Sequence, residues 1–384
     1  MAGYLMSLDS ADSLHLYASH GVYATKMGSP KGIWAGYHEG TFGDYATMRP
    51  DDNIYFFIKR KIYGIGKLVA LAGDCKFQNF PDACVPQPVD YGSVKSQLLW
   101  DEGAFSADQR WLCTFRPDPH FFRAGVDMDD LLASNPTAFK MLRTFWKLTF
   151  TKFEDDENQA FRDLLIRQNQ EFLDADPKDA EVFPANWQTE HQRIEALFEK
   201  HNYSLNLDPL LQTCAEGDRL RHEMAVEAGL LFQLSNRQPA TASVFGTYDY
   251  LHHQVVASPF KPVDYIDKMD VFGYSYVPGF EPTKSRFLVG EVKKDEGLLQ
   301  DLEQLMKYVD WVKEEYASGD YSMIRAFLVA YDFEAEAIER LHEVASRRYV
   351  IGRRPAVSRE WKDLKLVRYR YDSSAKRLVF SVIS

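Results

Sequence analysis

One segment, Met269–Ala330, constrains this chain more than any other. It begins MDVFGYSYVPGFEPTKSRFLVGEVKKDEGLLQDLEQLMKYVDWV and closes on MIRAFLVA. Two β-rich runs, Met269–Tyr276 and Arg286–Lys293, flank a turn that contains Pro and Gly. The spacing of Leu298, Leu302, Leu305, Val309 and Val312 predicts a helix over about 298–316 with one apolar stripe. Ile324–Ala330 is a continuous apolar run of the kind a parallel sheet buries on both faces. A further helix is expected just upstream, over 216–234. The order helix, strand, strand, helix, strand predicts an α/β core.

The polar residues inside those apolar runs carry the chemistry. Glu291 and Lys293 are two apart on a strand and share a face. Asp270 opens the neighbouring strand, where hairpin pairing would set its carboxylate beside Glu291. Two carboxylates in an apolar sheet repel unless a divalent cation neutralises them. A hard ion such as Mg²⁺ takes carboxylates, waters and phosphate oxygens. A nearby lysine can orient the attacking water and counter phosphate charge. The triplet E-x-K occurs twice, at Glu291-Val292-Lys293 and at Glu360-Trp361-Lys362. A bare triplet is ordinarily a surface charge pair. Glu291, however, follows Phe287-Leu288-Val289-Gly290, where unpaired charges are expensive, whereas Glu360 lies in a polar, basic stretch.

Over about residues 216–335 this pattern resembles the PD-(D/E)xK nuclease superfamily, in particular its mismatch and restriction-type endonucleases. The likeness rests on Asp270-Val271-Phe272-Gly273, then Glu291-Val292-Lys293, then Gln304-Leu305-Met306-Lys307-Tyr308. It departs from the family pattern in Met269, where a proline is usual. The resemblance implies that Asp270 and Glu291 bind Mg²⁺, with Mn²⁺ substituting. It implies that Lys293 positions the water and that Gln304 steers water or phosphate. One more acid is expected from the preceding helix, Glu223 or Glu227, with Glu227 preferred for its apolar neighbours Ala228–Leu231. Asp264 and Asp267 are rivals to Asp270, but neither starts an apolar strand.

A chain of 384 residues has room for two or three domains. Residues 1–125 read as β-rich, with a hairpin over Asn53–Leu68 whose Gly64 and Gly66 suggest a bulge or tight packing, and a strand over Arg110–Pro117. Residues 20–125 resemble the PUA-like β-barrels of the EVE and YTH group, through Trp34 and the run PDDNIYFFIKRKIYGIGKL. That resemblance implies a reader of modified or extruded bases, for which Trp34, Tyr37, Tyr55, Phe57 and Trp111 are candidate stacking partners. Lys59, Arg60 and Lys61 at the hairpin tip suit phosphate contacts. Residues 126–215 are expected to form an acidic helical connector, with one helix starting at Asn135-Pro136 and carrying Phe139, Leu142, Phe145 and Trp146. Residues 216–384 would form the nuclease-like domain. The expected class is mixed α+β: a PUA-like barrel, a helical middle and a restriction-endonuclease-like α/β core.

Net charge is -11, which excludes a sequence-blind cationic coat for nucleic acid. The acidity is local: residues 126–240 hold 21 acidic and 12 basic side chains, whereas residues 341–384 hold 4 and 11. Arg353 and Arg354 in that basic stretch are candidates for duplex backbone contact. Four cysteines with no C-x-x-C pair argue against both a disulfide framework and a structural zinc site. With no signal peptide and no long apolar run, a soluble cytoplasmic protein is expected. The leading expectation is a Mg²⁺-dependent endonuclease of double-stranded DNA. It would select modified DNA, as in type IV restriction in bacterial antiviral defence, and a homodimer would cut both strands. The alternatives are a repair or mismatch endonuclease and a non-catalytic nucleic-acid sensor.

Overall fold

In the computed structural model residues 1–144, 150–176, 182–257, 267–352 and 354–383 are described. The chain is of mixed α/β class and divides into two compact units, one of residues 1–31 and 48–206, the other of residues 32–47 and 207–384.

The first unit is built on a curved sheet of β1 (Gly3–Ser7), β2 (Val22–Lys26), β3 (Asn53–Ile58), β4 (Lys61–Leu68), β5 (Lys76–Gln78), β6 (Gln109–Pro117), β7 (Val126–Asp127) and β8 (Phe150–Phe153). Its main path runs β2-β6-β4-β3-β1-β8. Among the described residues no pairing of β2 with β8 closes it, so the sheet is a half-barrel, where a PUA-like β-barrel was expected. The β3–β4 hairpin turns at Lys59 and Arg60, with φ of 46° and 71°. Two successive positive φ values are the signature of a tight turn that matches strand twist. Further along, the register slips by one residue between Ile54 and Phe56, opposite Gly64 at φ 83°. That is the bulge expected from the two glycines.

Residues 126–206 are part of this unit, where a separate connector was expected. The reason is pairing: β8 lies antiparallel to β1, from Gly3↔Phe153 to Met6↔Phe150. The helix Asp155–Gln168 follows, with Phe161 and Leu165 buried. No helix starts at Asn135. The helix Met128–Ser134 ends there, and among the described residues before β8 it is followed by a 3-10 turn, Leu142–Thr144; Phe145 and Trp146 lie outside the described residues. The buried Glu157 carboxylate organises this stretch by accepting the N–H groups of Met141 (3.2 Å) and Leu142 (2.9 Å).

The second unit contains β9 (Ala215–Glu216), β10 (Arg219–Leu220), β11 (Tyr250–Val256), β12 (Lys268–Tyr276), β13 (Lys284–Val292), β14 (Glu296–Gly297), β15 (Ile324–Ala330), β16 (Asp332–Phe333), β17 (Arg347–Ile351), β18 (Val357–Trp361), β19 (Leu364–Asp372) and β20 (Arg377–Val382). Six of these form the central sheet, in the order β11-β12-β13-β15-β19-β20. β13, β15 and β19 are parallel, and the helix Leu299–Glu315 makes the crossover between the first two. Its expected stripe is buried at Leu302, Leu305, Val309 and Val312, each such side chain contributing roughly 1.5–3 kcal/mol. Asp301 caps the start of that helix by accepting from the Leu298 N–H (2.8 Å).

The helix expected over 216–234 is shorter, Glu223–Ser235, because residues 215–220 form the small β9–β10 hairpin instead. Within it a Cβ on Gly229 would lie 2.7 Å from Leu378, so glycine permits close approach to the sheet. The unit also includes the helix Gly36–Ala46 from the N-terminal stretch, which packs on Glu223–Ser235 and on β11. Among the described residues no helix is long and apolar enough to cross a membrane.

Candidate functional site

The register of the central sheet brings the acids together. Val271 pairs with Gly290, so one step further Asp270 lies across from Glu291 on the same face. Gly273 is required here for contact rather than conformation, since a Cβ would come within 2.7 Å of the Tyr250 carbonyl. The Asp270 carboxylate accepts the Val292 N–H (2.8 Å) and the Gln254 side-chain amide (2.9 Å). That same amide nitrogen donates to Glu227 (2.8 Å), which projects from the helix Glu223–Ser235. Lys293 Nζ lies 2.8 Å from Glu291 Oε1, 3.7 Å from Glu223 and 3.9 Å from Asp301. Asp270, Glu291, Lys293, Glu227 and Glu223 therefore converge from two strands, the residue just past one of them, and one helix.

The electrostatics of this cluster are strained. Burial, reinforced by the charges of Glu227 and Glu291, pushes the Asp270 carboxyl well above its usual range. Burial also lifts Glu291 to about 7, although Lys293 pulls the other way. Desolvation disfavours the Lys293 ammonium, but Glu291, Glu223 and Asp270 more than compensate and raise it. It is therefore a fixed cation and not a base. Glu291 Oε2 is buried and has no hydrogen-bond partner among the described residues. A buried carboxylate oxygen left open beside a second, protonation-prone carboxylate suits a hard divalent cation, which takes oxygen donors.

Three residues of the site were not foreseen. Gln254 sits in β11 opposite Asp270 with φ of 57°, a left-handed conformation that costs on the order of 1–3 kcal/mol for a non-glycine residue. That backbone aims its amide at both acids. His253 is buried between Glu227 (2.9 Å from Nε2) and Asp44 (3.1 Å from Nδ1). Burial opposes its charge, yet the two acids lift its pKa to about 10. The signal in the sequence was a polar run, His252-His253-Gln254, inside a strand buried at almost every position. Asp44, by contrast, lies more than 200 residues away in sequence and had no local signal.

Other expected residues fall elsewhere. Gln304 donates to the Tyr308 hydroxyl (2.6 Å). Burial and the charge of Glu291 raise that phenol, which places the pair near the acids. Asp264 and Arg353 lie outside the described residues. Arg354, Lys59, Arg60 and Lys61 are exposed, and Arg60 forms an ion pair with Asp129 (2.5 Å).

The candidate stacking aromatics are divided between the two units. Trp34 and Tyr37 belong to the second unit; Trp34 is buried and Tyr37 is 65 % exposed. Tyr55 and Trp111 are fully buried core residues of the first unit, bonded to Asn158 (2.7 Å) and to Cys84 Sγ (3.3 Å), and Phe57 is half-buried. The first unit instead offers a cavity of about 560 Å³ whose lining includes Lys67, Arg116, His120, Phe121, Arg162 and Trp187. In comparisons with known proteins no family model matches the chain and no curated protein matches it significantly.

Proposed function

We propose that the protein is a divalent-cation-dependent endonuclease acting on DNA. The observation that carries this reading is the convergence of Asp270, Glu291 and Lys293, joined by Glu227, around an open buried carboxylate oxygen. Asp270, Glu291 and Glu227 would hold Mg²⁺, with Mn²⁺ as a substitute. When bound, the ion supplies Lewis acidity toward a phosphodiester and counters its charge. The chain's own residues do the positioning. Lys293, held cationic by its acids, hydrogen-bonds the attacking water or a non-bridging phosphate oxygen. Gln254 links Asp270 to Glu227 through its side-chain amide, and the buried His253 fixes Glu227 from behind.

The proposed substrate is double-stranded DNA. The ribbon β17–β18 supports this, presenting Arg348 and Arg359 on a largely exposed hairpin that could lie along a duplex backbone. The cationic, part-aromatic cavity of the first unit supports selection of a modified or extruded nucleotide, in place of the buried aromatics. Cutting both strands with one site per chain would call for two copies.

A cleavage screen tests the reading. Purified protein is offered modified phage DNA, unmodified plasmid, mismatched duplex and RNA, with Mg²⁺ or Mn²⁺. Cation-dependent cutting of modified DNA that Lys293→Ala abolishes, with DNA binding retained, is expected. Preference for mismatches would favour a repair role. Tight binding without cleavage of any substrate would favour a sensor, and full cutting by Lys293→Ala would sink the assignment.

A further inference from the structure

A second cluster stands apart from these acids. Glu39, Cys214 and His222 each place one ligand-type atom so that all three lie within 4.8 Å of one another. Glu39 comes from the helix Gly36–Ala46, Cys214 precedes the β9–β10 hairpin, and His222 follows it. Both Glu39 oxygens are near His222 Nδ1, at 2.9 and 3.1 Å. Cys214 also hydrogen-bonds to Glu39, the backbone N–H of His222 lies by its sulfur, and the Arg221 N–H donates to the Cys214 carbonyl (3.0 Å).

We propose that these three side chains bind Zn²⁺. The donor set decides the metal: one thiolate, one imidazole and one carboxylate are what zinc takes, whereas Mg²⁺ and Ca²⁺ take oxygen alone. The three ligand atoms lie within 4.8 Å of one another, close enough for small side-chain shifts to reach the roughly 3.2–3.7 Å separations that bonds of about 2.0–2.3 Å in tetrahedral array require. Charge suits it as well. A thiolate and a carboxylate buried together would carry two negative charges, and one Zn²⁺ cancels both. A backbone N–H beside a cysteine sulfur is the kind of outer-sphere contact that holds a metal-bound thiolate. Glu39 is fully buried and Cys214 nearly so, but the His222 side chain is 31 % exposed. Water can therefore reach the fourth position. Binding displaces the thiol proton of Cys214 to solvent, and no electron is transferred.

The zinc, held by three side chains with the fourth position open to water, would also brace the fold. His222 is the residue immediately before the helix that carries Glu223 and Glu227. Fixing it to Glu39 and Cys214 fixes the start of that helix. The inference stands independently of the nuclease reading, since none of its ligands belongs to the Asp270 cluster.

The full chain, purified and desalted, is expected to contain about one zinc per molecule by elemental analysis. After chelation and refilling with Co²⁺ it should show a thiolate-to-cobalt charge-transfer band. Cys214→Ser should lose the band and the zinc, whereas Asp270→Asn should keep both. A folded wild-type chain that holds no zinc and gives no such band would overturn the proposal, and that measurement needs no variant. Retention of both by Cys214→Ser would overturn it equally. If that variant does not fold, His222→Ala is read in the same way.

Discussion

The two E-x-K triplets of the chain form nearly the same ion pair in very different surroundings. Lys293 lies 2.8 Å from Glu291, and Lys362 lies 2.9 Å from Glu360. Glu291 is 2 % exposed, Glu360 42 %. Around Glu291 stand Asp270, Glu227 and Glu223; Glu360 lies on the exposed ribbon β18. Pair geometry therefore carries no functional information by itself. Burial converts an ordinary surface pair, worth about 0–1 kcal/mol, into a cluster whose protonation is contested. Glu157 sharpens the contrast. It is buried and raised to about 8, but both its oxygens are occupied by backbone N–H groups. A satisfied buried acid staples a turn, whereas Glu291, with one oxygen open, invites a ligand.

The comparison can be broken by experiment. Lys293→Ala should lower cleavage by about 1,000-fold, the upper range for removing one charge-stabilising donor. His253→Ala should cost about 3 kcal/mol near neutral pH in denaturant melts, because it leaves Glu227 buried without its cationic partner. The pH dependence has a definite sign. The folded-state pKa of His253 is raised, so its stabilisation is complete below the ordinary imidazole range of about 6.5. It then declines and is gone once pH has risen through about 10. The gap between wild type and variant should close over that window.

Glu157 should behave as an acid held protonated. Its stabilisation is complete below the ordinary glutamate value of 4.5 and falls as pH rises toward about 8. Glu157→Gln should flatten that slope in pH-resolved melting curves. Asp270→Asn and Glu291→Gln should each weaken Mg²⁺ affinity by about tenfold or more in calorimetric titration. Smallest of all, Lys362→Ala should leave cleavage unchanged and stability within about 0.5 kcal/mol.

The core of the second unit was legible because its elements follow one another in sequence. Ile324–Ala330 and the stripe of Leu299–Glu315 are local patterns, and β12 and β13 are joined by a short turn that sets their register. Asp270, Glu291 and Lys293 inherit their alignment from that register. What was not legible depends on distant pairing. β8 reads as part of an acidic helical stretch until it is matched to β1, and Trp34 reads as part of the β-rich N-terminal domain until its contacts assign it to the second unit. Gln254 depends on a backbone conformation that its side-chain type does not announce. The absence of a C-x-x-C pair argued against zinc; that rule sees only ligands close in sequence, and the grouping of Glu39 with Cys214 and His222 lies outside its reach.

The helix Gly36–Ala46 has a consequence for the chain during synthesis. Its partners begin at Leu207, about 160 residues later, so at ~5–20 residues per second it emerges roughly 8–30 s before they exist. Throughout that interval Phe42 and Tyr45, fully buried in the finished protein, lack the surface that covers them. A fragment started at Leu207 would meet the converse difficulty, lacking both Glu39 and Asp44. The second unit is thus completed by a piece made first and used last, and supplying that piece as a separate peptide would show how much of its stability arrives by that route.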